Sequence, residues 1–167
     1  MIIRPEQPSD QSAIHAINAA AFETQDEANL VDALRSQADP IVSLVAELDG
    51  RLVGHILFSP VTLSGHEGAA MMGLAPMAVM PEHQRTGIGS ALVLAGIEAC
   101  KQCQAAAIVV LGHPKYYPKF GFVSSSRYGI VSEYNVPEEV FMVLEIEENA
   151  LDGKSGTISY HGVFGDL

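Results

Sequence analysis

The segment Gln84-Arg85-Thr86-Gly87-Ile88-Gly89-Ser90 joins an apolar stretch interrupted by Pro76 to a long run rich in Ala and Leu. A glycine-bearing turn that opens a helix leaves a row of backbone N–H groups with no acceptor inside the helix. Those groups, and the positive end of the helix dipole, favour an anion, with phosphate the usual guest. The glycines let that guest come close to the backbone. Two other glycine motifs drop out. No Gly-Lys-Ser/Thr follows, which excludes a P-loop. A dinucleotide fingerprint needs glycine at position 92, where Leu92 stands, and no acidic residue follows where the ribose contact belongs. A tight turn that merely permits close packing of helix on strand would use the same glycines.

Metal and thiol chemistry find less support. Cys100 and Cys103 share a C-x-x-C spacing but sit late in the predicted helix, whereas a redox pair belongs at a helix start. With no second pair and no adjacent histidine there is no zinc ligand set, so packed thiols are expected. His15, His66 and His161 are scattered without ligand spacing, and no metal is expected. Glu82 and His83, beside the turn, are expected at the surface.

The elements that must hold the turn follow from periodicity. Met1–Arg4 reads as a short strand, and Pro5 to Pro8 break it. Ile14, Ile17, Ala21 and Phe22 recur at helical spacing, predicting a helix over Asp10–Phe22. Leu30, Val31 and Leu34 mark a second helix, Asp26–Gln37, stopped before Pro40. Ile41–Leu48 and Leu52–Leu63 flank Asp49-Gly50, a hairpin signal, and should pair antiparallel. Gly54 marks a bulge or a close backbone approach. Met71–Val79 is a further antiparallel strand. The helix after the turn spans about Gly87–Cys103. Ile88, Leu92, Ala95 and Ala99 form one stripe and Leu94 and Ile97 another, so burial on more than one side is expected. Ala105–Leu111 is a continuous apolar run, the pattern of a strand covered on both faces. Strand, helix and strand make a βαβ unit, which requires the strands at 74–79 and 105–111 to be parallel. His113 to Phe122 is a short proline-bounded helical turn, and Phe141–Ile146 is a strand. Leu151–Leu167 is irregular, with Thr157–Tyr160 extended.

The 167 residues form one domain, 1–167, with 48% hydrophobic and 17% charged residues. A net charge of -11 argues against a nucleic-acid surface and suits cationic partners such as amines, or solubility alone. No apolar run is long enough to span a bilayer. The N-terminus lacks the charged and apolar regions of a signal peptide, so a cytoplasmic location with no membrane association is expected.

Gln84-Arg85-Thr86-Gly87-Ile88-Gly89 matches the Q/R-x-x-G-x-G/A signature of the GNAT N-acetyltransferases, and the Val79-Met80-Pro81 before it resembles that family's strand end. Tyr117-Pro118-Lys119-Phe120-Gly121-Phe122 is similar to the family's Y-x-x-x-G-F segment. Leu111 to Phe122, and the tail from Ala150-Leu151-Asp152-Gly153 to Phe164, resemble the YhbS-like branch. The resemblance spans nearly the whole chain. It implies an α+β fold of three α/β/α layers, whose mixed, mostly antiparallel sheet has a parallel βαβ unit splayed at the cofactor site. It implies acetyl-CoA as co-substrate and direct transfer of acetyl to a primary amine of a small molecule, peptide or protein, through a ternary complex. The backbone N–H groups of Arg85, Gly87, Ile88, Gly89 and Ser90, within the turn that includes Thr86, would hold the pyrophosphate. Gln84 would help to fix that turn. Met77 and Val79, flanking Ala78, would pair with the pantetheine arm like an added strand. Tyr117 matches the family's acid, able to protonate the departing thiolate. Its neighbour Tyr116 is expected in the core or a substrate wall. Dimerisation is common in the family, but the chain itself carries no signal for it.

The base departs from many relatives, because Leu74–Val79 holds no ionisable group where several carry Glu. His113, Glu27 and His55 are the candidates, and a water relay without a dedicated base is equally open. His113 has the best intrinsic pKa. Each also reads plainly: a loop residue, a first-turn carboxylate on a helix dipole and a satisfied strand histidine. The missing carboxylate leaves two rivals to an enzyme: a non-catalytic acyl-CoA-binding regulatory module, and an interaction module with an acidic face.

Overall fold

The computed structural model describes residues 1–166; Leu167, the end of the tail read as irregular, lies outside them. In chain order the elements are β1 (Ile2–Pro5), α1 (Gln11–Ala21), α2 (Asp26–Gln37), β2 (Val42–Leu48), β3 (Arg51–Leu63), β4 (Met71–Val79), α3 (Ile88–Gln102), β5 (Ala107–Leu111), β6 (Val123–Ser124), β7 (Ile130–Ser132), β8 (Phe141–Glu145) and β9 (Gly156–Ser159). The main sheet runs β1-β2-β3-β4-β5-β8-β6. Its neighbours are antiparallel except β4 and β5, which are joined through α3 and run parallel. The expected mixed sheet with one βαβ unit is thus observed. Two short strands went unforeseen, β6 and β7, of two and three residues. No alternation is legible over so few residues, and pairing with β8 and β9 defines them.

Side-chain alternation divides the sheet between two helical layers. Val42, Leu44, Ile56, Phe58, Ile108 and Val110 face α3 and pack on its Ile88, Leu92, Val93 and Cys100. Val45 and Leu57 point the other way, onto Ile14 of α1 and Leu30, Val31 and Leu34 of α2. On that side Ala107 and Val109 are covered by Ile130, Leu151 and Ile158 from the second half of the chain. β5 is therefore buried on both faces, as its unbroken apolar run requires.

The helix after the turn departs from its expected pattern. Its buried line is Ile88, Leu92, Val93, Gly96 and Cys100, while Leu94 is 59% exposed. Ala95 and Ala99 are only half-buried. Gly96 takes the centre because a Cβ there would stand 2.2 Å from Cε1 of Phe58. The helix therefore buries one face only. Cys100 is packed, its thiol pushed up to about 12 by burial, but Cys103 is exposed rather than packed. Gly54 fulfils both of its readings. The β2–β3 register shifts beside it, and a Cβ on it would meet Ile88 Cγ2 at 3.0 Å.

The feature that shapes the site is a split between β4 and β5. They pair from Met71 with Ala107 to Leu74 with Val110, and there the ladder ends. Beyond it β4 continues with β3 alone, Met77 opposite Ile56 and Val79 opposite Gly54. The β3–β4 register slips between Ile56 and Phe58, across from Ala75-Pro76. Pro76 brings no N–H to a ladder, and a bulge bends the strand that carries it. A cleft opens where the two parallel strands part.

Candidate active site

The turn occupies the head of that cleft. Pro81–His83 forms one 3-10 turn, and Gln84 Nε2 then donates to the Val79 carbonyl at 3.1 Å, tying the turn to the end of β4. Thr86 Oγ1 donates to the His83 carbonyl. Arg85 (φ 63) and Gly87 (φ 92) are left-handed, which swings successive N–H groups to one side. Among the described residues, no backbone N–H from Arg85 to Ser90 donates to the protein; the first bond at the head of α3 runs from Ala91 to the Gly87 carbonyl at 3.1 Å. Four residues of this row border a cavity of 380 Å³ lined by Val79, His83, Gln84, Arg85, Gly87, Gly89, Ser90, Tyr116 and Lys119. Two cations on this wall reverse, locally, the negative balance of the chain.

Tyr116 and Lys119 were not singled out for this wall. The Tyr116 hydroxyl lies 3.0 Å from Ser90 Oγ, and Lys119 Nζ sits 4.1 Å from the Tyr116 ring centroid. Their i, i+3 spacing in the proline-bounded turn was the available signal, since one helical turn puts both on one side.

Below the turn, β4 presents backbone to the cleft. The Met80 N–H donates to Val53 at 2.8 Å, so alternation directs the N–H and carbonyl of Ala78 towards β3 as well. The polar groups of Met77 and Val79 face the open side. Ala78 itself is buried against His55 in the β3 ladder.

A second cavity of 380 Å³ lies on the α1/α2 side of the split, lined by Phe22, Glu27, Leu30, Leu74, Ala75, Pro76, Met77, Leu111, Tyr117 and Phe164. It brings together Glu27 and Tyr117, two of the residues singled out from sequence. Tyr117 is 8% exposed, its ring edge-on to Tyr116 at 5.0 Å and to Phe122 at 5.7 Å. Burial, with Tyr116 beside it, pushes its phenol up to about 12. Among the described residues its hydroxyl makes no hydrogen bond to the protein. Glu27 stands half-buried in the first turn of α2.

The other histidines lie elsewhere. His113 is exposed in the loop after β5, its Nδ1 accepting from the Lys115 N–H at 3.2 Å, and it lines neither cavity. His55 is fully buried on the α1 side of β3. Asn18 Nδ2 donates to its Nδ1 at 3.2 Å, and its Nε2 lies 2.9 Å from Ser43 Oγ, which donates to Glu6 at 2.7 Å. Burial lowers its pKa to about 4. It is a satisfied strand histidine. Among the described residues no group of three His, Cys, Asp or Glu could hold a metal ion.

Sheet, split and turn together define an acetyltransferase fold. A crystal structure of YhbS from Escherichia coli in complex with CoA superposes with a TM-score of 0.91 at 33% identity, over 98% of this chain and 91% of that one. A GNAT family acetyltransferase from Brucella melitensis, in complex with acetyl-CoA, gives 0.80 at 35% identity, over 98% and 97%. The chain belongs to the acetyltransferase (GNAT) family, whose profile matches residues 11–122. N-acetyltransferase YhbS of E. coli K12 is 34% identical over 165 residues, 98% of both chains. N-acetyltransferase YjhQ of the same strain is 40% identical over 135 residues, 78% of this chain and 75% of its own. Among the described residues no helix is long and apolar enough to cross a membrane.

Proposed function

We propose that the protein transfers acetyl from acetyl-CoA directly to a primary amine, with both substrates bound at once. The observation that carries this is the unpartnered N–H row of Arg85–Ser90 at the head of the β4–β5 split, with the Glu27–Tyr117 cavity further along the same split. The turn fits a pyrophosphate: Arg85, Gly87, Gly89 and Ser90, whose N–H groups have no acceptor among the described residues, line one wall at a helix N-terminus together with the cation Lys119. Below it, Met77 and Val79 offer strand-like backbone to the pantetheine amides, as in β-augmentation. When bound, acetyl-CoA supplies an activated thioester.

The chain's own residues then manage protons. The amine must be neutral to attack the carbonyl carbon, so its ammonium loses a proton towards Glu27, directly or through one water. The C–N bond forms as the C–S bond breaks, Tyr117 gives its proton to the departing sulfur, and the second amine proton, left on the new amide nitrogen, returns to the phenolate through water. A phenol raised to about 12 is fully protonated at neutral pH, which is the state an acid needs. Its lack of a protein acceptor leaves the O–H free to turn to sulfur. His113 is the remaining candidate base, but its exposed position beside Lys115 gives it no part of the cavity wall.

Coenzyme A release, followed with a thiol reagent over a panel of amines, tests this reading, with Tyr117→Phe as the control. Amine-dependent release that falls in the variant is the expected result. Binding of acetyl-CoA without turnover of any acceptor would instead favour a regulatory acyl-CoA-binding module.

A further inference from the structure

The cavity that holds Glu27 and Tyr117 has a composition that selects among amines, and this rests on the acetyl transfer proposed above. Among the described residues, Glu27 is the one ionisable group of its lining apart from the phenol. The rest of its wall is apolar: Phe22 at the end of α1, Leu30 one turn beyond Glu27 on α2, Leu74 and Pro76 from β4, Leu111 from β5, and Phe164 from the C-terminal turn. No serine, threonine, asparagine, glutamine or second carboxylate is among these residues. Glu23 and Asp26 stand exposed just ahead of Glu27, so the start of α2 is acidic, and of these three carboxylates Glu27 alone lines the cavity.

From this we infer that the acceptor is a small primary amine carrying a single ammonium on an apolar body, aliphatic or aromatic. One carboxylate matches one cation. A polyamine would bury further ammonium groups with nothing to pair them, and an amino sugar would bury hydroxyls with nothing to bond them. Both penalties discriminate more strongly than shape does. At 380 Å³ the cavity is near the lower end of ordinary ligand sites (roughly 300–1,000 Å³), and part of it must take the acetyl thioester. That leaves room for a small amine body but not for a polypeptide surface. Phe164 makes the C-terminal turn a wall of the acceptor site, so the chain end contributes directly to selectivity.

The test uses the full chain with acetyl-CoA and n-alkylamines from ethylamine to hexylamine, phenethylamine, spermidine and kanamycin. Coenzyme A release gives kcat/KM for each, and calorimetry gives acetyl-CoA binding separately. For the alkylamines kcat/KM is expected to rise roughly threefold to fourfold per methylene until the cavity is filled. Spermidine and kanamycin should fall at least tenfold below hexylamine. Glu27→Gln should raise the KM for hexylamine at least tenfold and leave that for acetyl-CoA unchanged. Phe164→Ala should move the optimum to a longer chain, a shift that general destabilisation does not produce. Equal or better turnover of spermidine or kanamycin overturns the inference and leaves acetyl transfer standing. Tight acetyl-CoA binding with no turnover of any of these amines also overturns it. Failure to bind acetyl-CoA removes the underlying reading and the inference together.

Discussion

A Cβ on Gly112 would lie 2.2 Å from Cε2 and 2.8 Å from Cδ2 of Tyr117. The Tyr117 ring therefore rests directly on the backbone at the end of β5, and only glycine at 112 leaves it that position. On its other side Phe122 meets the ring at 5.7 Å. The phenol is thus held between a strand end and an aromatic cluster, aimed into the cavity that Glu27 shares.

Gly112→Ala should push the ring aside, because the blocking atoms belong to a buried ring rather than to the free end of a flexible chain. The expected cost is about 1–3 kcal/mol of stability, read from urea denaturation. Activity should fall at least tenfold in protein that is still folded at 25 °C. Unchanged turnover in the folded variant would show that the position of the ring is unimportant.

Tyr117→Phe separates packing from chemistry. The ring stays and the hydroxyl, which has no partner among the described residues, leaves, so stability should change by less than about 1 kcal/mol. Turnover should drop by roughly 10²–10⁴, the range for loss of a general acid. In the unmodified protein, a phenol raised to about 12 keeps its proton through pH 10, so no alkaline fall in kcat should arise from Tyr117 below that point. A pH–rate profile checks this.

Gly87→Ala probes the turn. Nothing lies within 4 Å of a Cβ placed there, so the strain comes only from its φ of 92°. The left-handed backbone costs an alanine about 1–2 kcal/mol. The turn should relax, scatter its N–H groups and weaken coenzyme A binding at least tenfold by calorimetry, with the acceptor KM little affected.

His55 makes the protein acid-sensitive. Its pKa in the fold is near 4, below the 6.5 of an exposed imidazole, so the unfolded chain binds the extra proton first as pH falls. Stability is complete above about 6.5 and declines as pH drops through 4. The loss across that window is roughly 3 kcal/mol, at about 1.4 kcal/mol per unit. Glu6, whose carboxyl Arg35 and Ser43 hold below its ordinary range, adds stability that is lost below about 4.5, so both groups act in the same direction. Urea midpoints from pH 7 to 4.5 should fall steadily, and NMR should find His55 neutral at pH 5.

What the chain declared by itself is local. The Gln84–Ser90 turn and the helix that follows depend on neighbours in sequence, because backbone N–H direction is set by a few consecutive dihedrals. The parallel β4–β5 pair was also legible, since a strand–helix–strand of this length closes in one way. Even the tie from Gln84 to Val79 spans only five residues. The partnership of Glu27 with Tyr117 is of another kind. The two lie ninety positions apart and meet because α1 and α2 cover one face of the sheet where β4 leaves β5. That departure follows from Pro76 and a slipped register against β3, a consequence of pairing that no single strand announces. The burial of α3 differs from its pattern for the same reason: Leu94, expected on an apolar side, is left exposed, and Gly96 joins the buried line because Phe58 lies across the helix. Packing between distant segments decided which of three candidate bases shares a cavity with the phenol. Sequence could name the candidates, because their chemistry is intrinsic, while proximity belongs to the fold.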